Sequence, residues 1–162
     1  MNTLVNPSPL APSQRSPAAV HDYSLPVPTT AQRALARAWL GLGLLALIGS
    51  GLFSILLVAA RTPVVNQWLP AADFFRVALV VHVDLSVLVW FAAMAAMLWS
   101  LIATPRAESW SWVALGLCGG GTLLMSLGAF VSPGTPVMAN YIPVLEGPLF
   151  MAGLVAFAAG FA

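Results

Sequence analysis

The chain has 162 residues, 60% of them apolar and only 7% charged, where a soluble domain carries about a quarter. Mean hydropathy is +0.92 and the formal net charge is +1. A water-soluble globule, a disordered chain and a nucleic-acid binder are excluded on these grounds, and so small a net charge implies no polyanionic partner. The single cysteine, Cys118, excludes an internal disulfide framework and a thiolate metal cage built by this chain alone.

Residues 1–37 differ in kind from the rest. They hold six prolines, many Ser and Thr, and no long apolar run. Such a stretch buries too little surface to offset its ordering entropy. It is expected to be a disordered tail, with a helix start near Thr30 or Gln32. It does not read as a secretory signal, whose apolar region follows a short basic start.

Four apolar runs follow, predicting helices over 38–60, 77–102, 110–131 and 147–162. A spanning helix needs roughly 20 apolar residues, and helices satisfy their own backbone in lipid. The first three runs meet that length. The fourth stops with no polar flank, which fits a chain ending inside a span. The expected fold is therefore all-α and membrane-integral: an antiparallel bundle with three full spans and a truncated fourth.

Arg33, Arg37 and Arg106 fall on one side of this arrangement, with Arg15 further out, and Arg61 and Arg76 on the other. By the bias of cytoplasmic loops toward Arg and Lys, the N-terminus is expected in the cytoplasm of a bacterial cell and the bundle in its inner membrane. Trp39, Trp99, Trp110 and Trp112 then mark the inner interface, and Trp68 and Tyr141 the outer one. Small residues four apart, Ala46/Ser50, Ala92/Ala96 and Gly116/Gly120, read as packing faces. The run Gly119-Gly120-Gly121 also leaves room for a planar ligand.

Two ionisable residues interrupt the second run, His82 and Asp84. Such groups are costly in hydrocarbon and mark functional positions. A neutral imidazole there suits an axial haem ligand, and equally a structural hydrogen bond across the bundle. Asp84 lies about 200° further round the helix, so the two do not share one small site. Asp84 reads as a buried acid bonded to a neighbouring helix, or as part of a proton path. Arg76 flanks the span, on the side where haem carboxylates would surface. Asp73 and Glu146 sit beside helix starts, where negative charge suits the dipole; Glu146 also has the chemistry to touch a cation. Cys118 reads as a small apolar residue, and His21 as a solvated tail residue.

The stretch 73–91, DFFRVALVVHVDLSVLVWF, resembles the second span of the haem-copper oxidase catalytic subunit, most closely the cbb3-type oxidase and nitric oxide reductase branch. The segment 140–150, NYIPVLEGPLF, is similar to the loop entering the fourth span of those proteins. The resemblance covers about residues 38–162, the first third of a roughly twelve-span fold. It implies that His82 is an axial ligand of a low-spin, b-type haem. A high-spin haem and copper would be held by later spans. It further implies electron transfer from cytochrome c toward oxygen, coupled to proton uptake. The implied partners are the rest of the catalytic subunit or a complementary chain, other oxidase subunits and the lipid bilayer. Alone, the 162 residues would be inactive. Where related sequences carry Asn or another small polar residue, this one has Asp84. Nitric oxide reduction, a non-catalytic membrane scaffold and a transport subunit using Asp84 are the competing expectations.

Overall fold

The computed structural model describes residues 27–68, 73–104, 108–139 and 141–162. Most of the expected tail, including Arg15 and His21, and with it Arg106 and Asn140, lie outside the described residues. Helix α1 runs Thr30–Ala59. A rod over Phe74–Ser100 is built from α2 (Phe74–Val83), a π-helical segment (Asp84–Val89) and α3 (Trp90–Ser100). Helix α4 is Glu108–Val131 and α5 is Pro148–Phe161. A 3-10 turn, Val65–Trp68, and a two-stranded antiparallel ribbon, Pro136–Val137 (β1) with Val144–Leu145 (β2), occupy the loops. Among the described residues, α1, the Phe74–Ser100 rod and α4 are long and apolar enough to cross a membrane. Helix α5 falls short of that length, as its sequence predicts.

The first helix begins well inside the segment expected to be disordered, because Thr29 and Gln32 form a capping box. The Thr29 hydroxyl accepts from the Gln32 amide N–H at 3.2 Å, and Gln32 Oε1 accepts from the Thr29 N–H at 2.7 Å. Two donors that a helix start leaves orphaned are thereby satisfied. The Gln32 side chain also donates to the Ala103 carbonyl at 2.7 Å, tying the start of α1 to the end of α3. The tail reading is therefore corrected over residues 30–37, which are helical.

Helix α1 packs antiparallel to the rod. Gly43 lies against Trp90 and Ala93, and Gly49 against Leu85. Ala46, Ser50, Ala92 and Ala96 are buried, as their spacing predicts. The third expected face, Gly116/Gly120, meets no partner among the described residues. A Cβ built at Gly116 or Gly120 meets nothing within 4 Å, whereas one at Gly121 lies 2.5 Å from the Gly153 carbonyl, and one at Gly128 lies 3.0 Å from the Phe150 amide nitrogen. Gly121 and Gly128 are seven residues apart, two helical turns, and so share one face. Helix α5 occupies the space beside Gly121 where a planar ligand was expected, so that expectation is corrected at Gly121.

Ring contacts join helices near both ends of the bundle. Phe130 of α4 meets Phe53 and Phe74 at 5.7 Å, and Trp99 stacks on Phe161 at 6.3 Å. Trp68, Tyr141, Trp99 and Trp110 are well exposed, as an interfacial belt requires, but Trp39 is buried in the core rather than placed in the belt.

Gly153→Ala is expected to loosen the α4–α5 pair, because its new Cβ would stand 2.7 Å from backbone atoms of Gly121 and Met125. Overpacking of this kind costs about 1–3 kcal/mol. Gly116→Ala should be neutral. Denaturation midpoints of the two variants in detergent, read by circular dichroism, check the contrast; equal midpoints would contradict the packing.

Candidate functional site

Ser50, His82, Asp84 and Ser86 lie where α1 crosses the α2 end of the rod. His82 is held there by Ser50. Its Nδ1 lies 2.9 Å from the Ser50 carbonyl oxygen and 2.9 Å from the Ser50 hydroxyl. A carbonyl only accepts, so Nδ1 carries a proton, and in the neutral ring Nε2 then holds the lone pair. The Ser50 hydroxyl donates in turn to the His82 carbonyl at 3.0 Å. Serine 50 thus grips both the ring and the backbone of the same residue.

Serine 86 adds a third contact. Its hydroxyl donates to the His82 carbonyl at 2.7 Å, with a longer contact to the Val83 carbonyl at 3.3 Å. The His82 carbonyl therefore receives two hydroxyls just where the α-helical ladder gives way to the π-helical segment. At its far end the Trp90 amide reaches back five residues to the Leu85 carbonyl. Hydroxyls that bond backward onto carbonyls bend helices, and one-turn π segments recur at functional sites. The widened turn lies immediately after the histidine.

Asp84, at the first π-helical position, is 1% exposed, and neither carboxyl oxygen has a hydrogen-bond partner among the described residues. The expected bond from Asp84 to a neighbouring helix is thus not formed there. No hydrogen bond joins it to His82, in keeping with the angular separation read from sequence. An unpaired polar group in such a place costs about 1–3 kcal/mol.

Arg76 is exposed at the helix start and pairs with Asp73 at 3.2 Å. Asp73 precedes α2 but makes no side-chain cap bond. Glu146 is exposed beside the start of α5, and its amide bonds to the Thr135 carbonyl. Cys118 is buried and points its thiol at the Phe157 carbonyl at 3.5 Å, a contact inside the α4–α5 seam. Among the described residues, no three His, Cys, Asp or Glu side chains come together as a metal cluster. Sequence reading placed Ser50 on a packing face only. Its second role follows from register: Ser50 comes level with His82 once α1 and the rod pack antiparallel.

No protein-family model matches the chain, and no solved structure matches it. Two curated relatives do. An uncharacterized protein of Rickettsia prowazekii (strain Madrid E), RP382, is 31% identical over 147 residues, covering 76% of this chain and 29% of that protein. An uncharacterized protein of Aquifex aeolicus (strain VF5) is 29% identical over 122 residues, covering 75% of this chain and 31% of that protein. The chain thus spans less than a third of the length of these relatives.

Ser50→Ala removes the hydroxyl but leaves the backbone carbonyl that holds Nδ1. Hydrogen bonds between helices in lipid average about 0.6 kcal/mol and reach about 1.7. The variant should therefore lose about 1 kcal/mol of stability in a detergent denaturation series, with Ser50→Thr retaining most of it. A neutral Ser50→Ala would show that the grip carries no energy.

Proposed function

We propose that the chain forms the first spans of a membrane-bound catalytic subunit of the haem-copper oxidase type, with His82 as one axial ligand of a low-spin haem. The observation that carries this reading is the state of the imidazole: Nδ1 is anchored by Ser50, and Nε2 has no hydrogen-bond partner among the described residues. A histidine that ligates a metal through one nitrogen commonly donates the other N–H to a carbonyl or carboxylate, which fixes tautomer and ring orientation. His82 therefore fits the group through one ligand; a second axial ligand would come from outside this chain.

When bound, the haem supplies one-electron transfer. His82 performs no bond chemistry in this reading: it holds the iron, and Ser50 holds His82 in the tautomer that can. His82 is half-buried between α1 and the rod, and an apolar surround would leave few competitors for Nε2. Arg76 is a secondary candidate for a haem carboxylate, in competition with its partner Asp73. Oxygen is the proposed terminal acceptor, cytochrome c the proposed donor, and nitric oxide reduction the nearest variant. The proposed location is a bacterial inner membrane with the N-terminus in the cytoplasm.

A second reading, a transport subunit, is favoured by one observation. Asp84 is buried with both oxygens unpartnered, as an acid serving a passing cation or proton would be. Reduced-minus-oxidised spectra of native membranes separate the two. His82→Ala should abolish the low-spin band per mole of protein, while Asp84→Asn and His21→Ala leave it in place. A full band with His82→Ala would remove the ligand assignment. A reporter fused after Arg106 should signal cytoplasm, and a periplasmic signal would overturn the orientation.

A further inference from the structure

The geometry points to a binding site for an anionic phospholipid in the groove between the first turns of α1 and the end of α3. Arg33 and Arg37 stand one turn apart on α1, both exposed. Together with Ala36, Leu40, Met97 and Leu101 they line a groove of about 220 Å³. Leu101 stands level with Arg33, and Met97 and Leu40 continue the apolar wall toward the middle of the two helices. Among the described residues no acidic side chain lines it. Among the described residues neither arginine forms an ion pair; Arg33 makes one long bond, from Nε to the Thr29 carbonyl at 3.5 Å.

The charge pattern selects the occupant. Two guanidinium groups above an apolar trough match a phosphate headgroup with an acyl chain below it. Basic pockets between helices at the membrane surface bind such headgroups, and guanidinium binds phosphate in a two-pronged geometry. A free phosphate would use the arginines and leave the apolar wall unused. A neutral zwitterionic lipid would use the wall and gain little from the arginines. The walls are also fixed in place, because the Gln32 side chain clips α1 to Ala103 just beyond Leu101. The site is independent of the haem reading, since it lies at the opposite end of α1 from Ser50.

The test uses the full chain in detergent, offered phosphatidylglycerol or phosphatidylcholine, with bound lipid counted by native mass spectrometry. Phosphatidylglycerol should be retained in preference, and inorganic phosphate should displace it poorly. At roughly 1 kcal/mol per arginine, about fivefold, Arg33→Gln with Arg37→Gln should weaken phosphatidylglycerol binding about thirtyfold. Arg61→Gln at the other end should leave it unchanged. The wild-type chain gives a parallel answer without substitution, because added salt should erode the preference. Equal retention of the two lipids, a preference indifferent to salt, or full retention by the double variant would overturn the site.

Discussion

The architecture depends on how α1 meets the second rod, and the contact that sets this meeting is the pair Ser50 and His82. In lipid there is little hydrophobic gain from pressing one apolar helix on another, so close approach rests on small residues and hydrogen bonds. Ala46, Gly43 and Gly49 permit the approach; Ser50 and His82 fix its register. One residue's slip along α1 would turn the hydroxyl about 100° away from the imidazole. It would also move the Gln32 side chain off the Ala103 carbonyl at the far end. Two polar clips, one mid-helix and one at the start, therefore hold a long apolar seam that van der Waals packing alone would leave free to slide.

The second seam rests on steric fit. Helices α4 and α5 meet through Gly121, Gly128, Gly153 and Gly160, where an added Cβ would strike backbone rather than a yielding side chain. The hydroxyls of Thr122 and Ser126 bond back to carbonyls of their own helix, so they spend their capacity locally. The Cys118 thiol, a weak donor, reaches across the seam to the Phe157 carbonyl. The result is a division of labour: polar register at the α1 seam, steric fit at the α4–α5 seam, with Phe130 joining the two by its contacts to Phe53 and Phe74.

The helices were legible in the sequence because the requirement for long apolar runs is strong and local. The packing faces were legible in part. Four-residue spacing found Ala46/Ser50 and Ala92/Ala96, yet chose Gly116/Gly120 over Gly121/Gly128, since a glycine-rich helix offers several faces and only the partner decides among them. The start of α1 was expected near Thr30 or Gln32, although the proline-rich composition before it drew the disordered segment too far. At the candidate site, His82 and Asp84 stood out by being ionisable in an apolar run. Ser50 and the π-helical segment did not, because both arise from contacts between residues distant in sequence or from bonds that compete with the regular ladder.

His82 and Asp84 pose opposite physical problems on the two sides of the junction where α2 gives way to the π-helical segment. His82 is met twice over: its ring N–H by Ser50, its carbonyl by two hydroxyls. Asp84 is met by nothing among the described residues. A carboxyl group has up to four acceptor positions and, when protonated, one donor, so burying it bare wastes more bonding capacity than any other group in the bundle. The extra residue in the wide turn adds to this, because it disturbs the regular carbonyl pairing beside the carboxyl. An arrangement that spends stability at Asp84 while over-satisfying its neighbour His82 is not what packing alone would select. It concentrates the cost at a single point, two residues along and about 200° round the helix from a histidine whose Nδ1 is tied to Ser50. That concentration is the feature by which this rod differs from a plain apolar span.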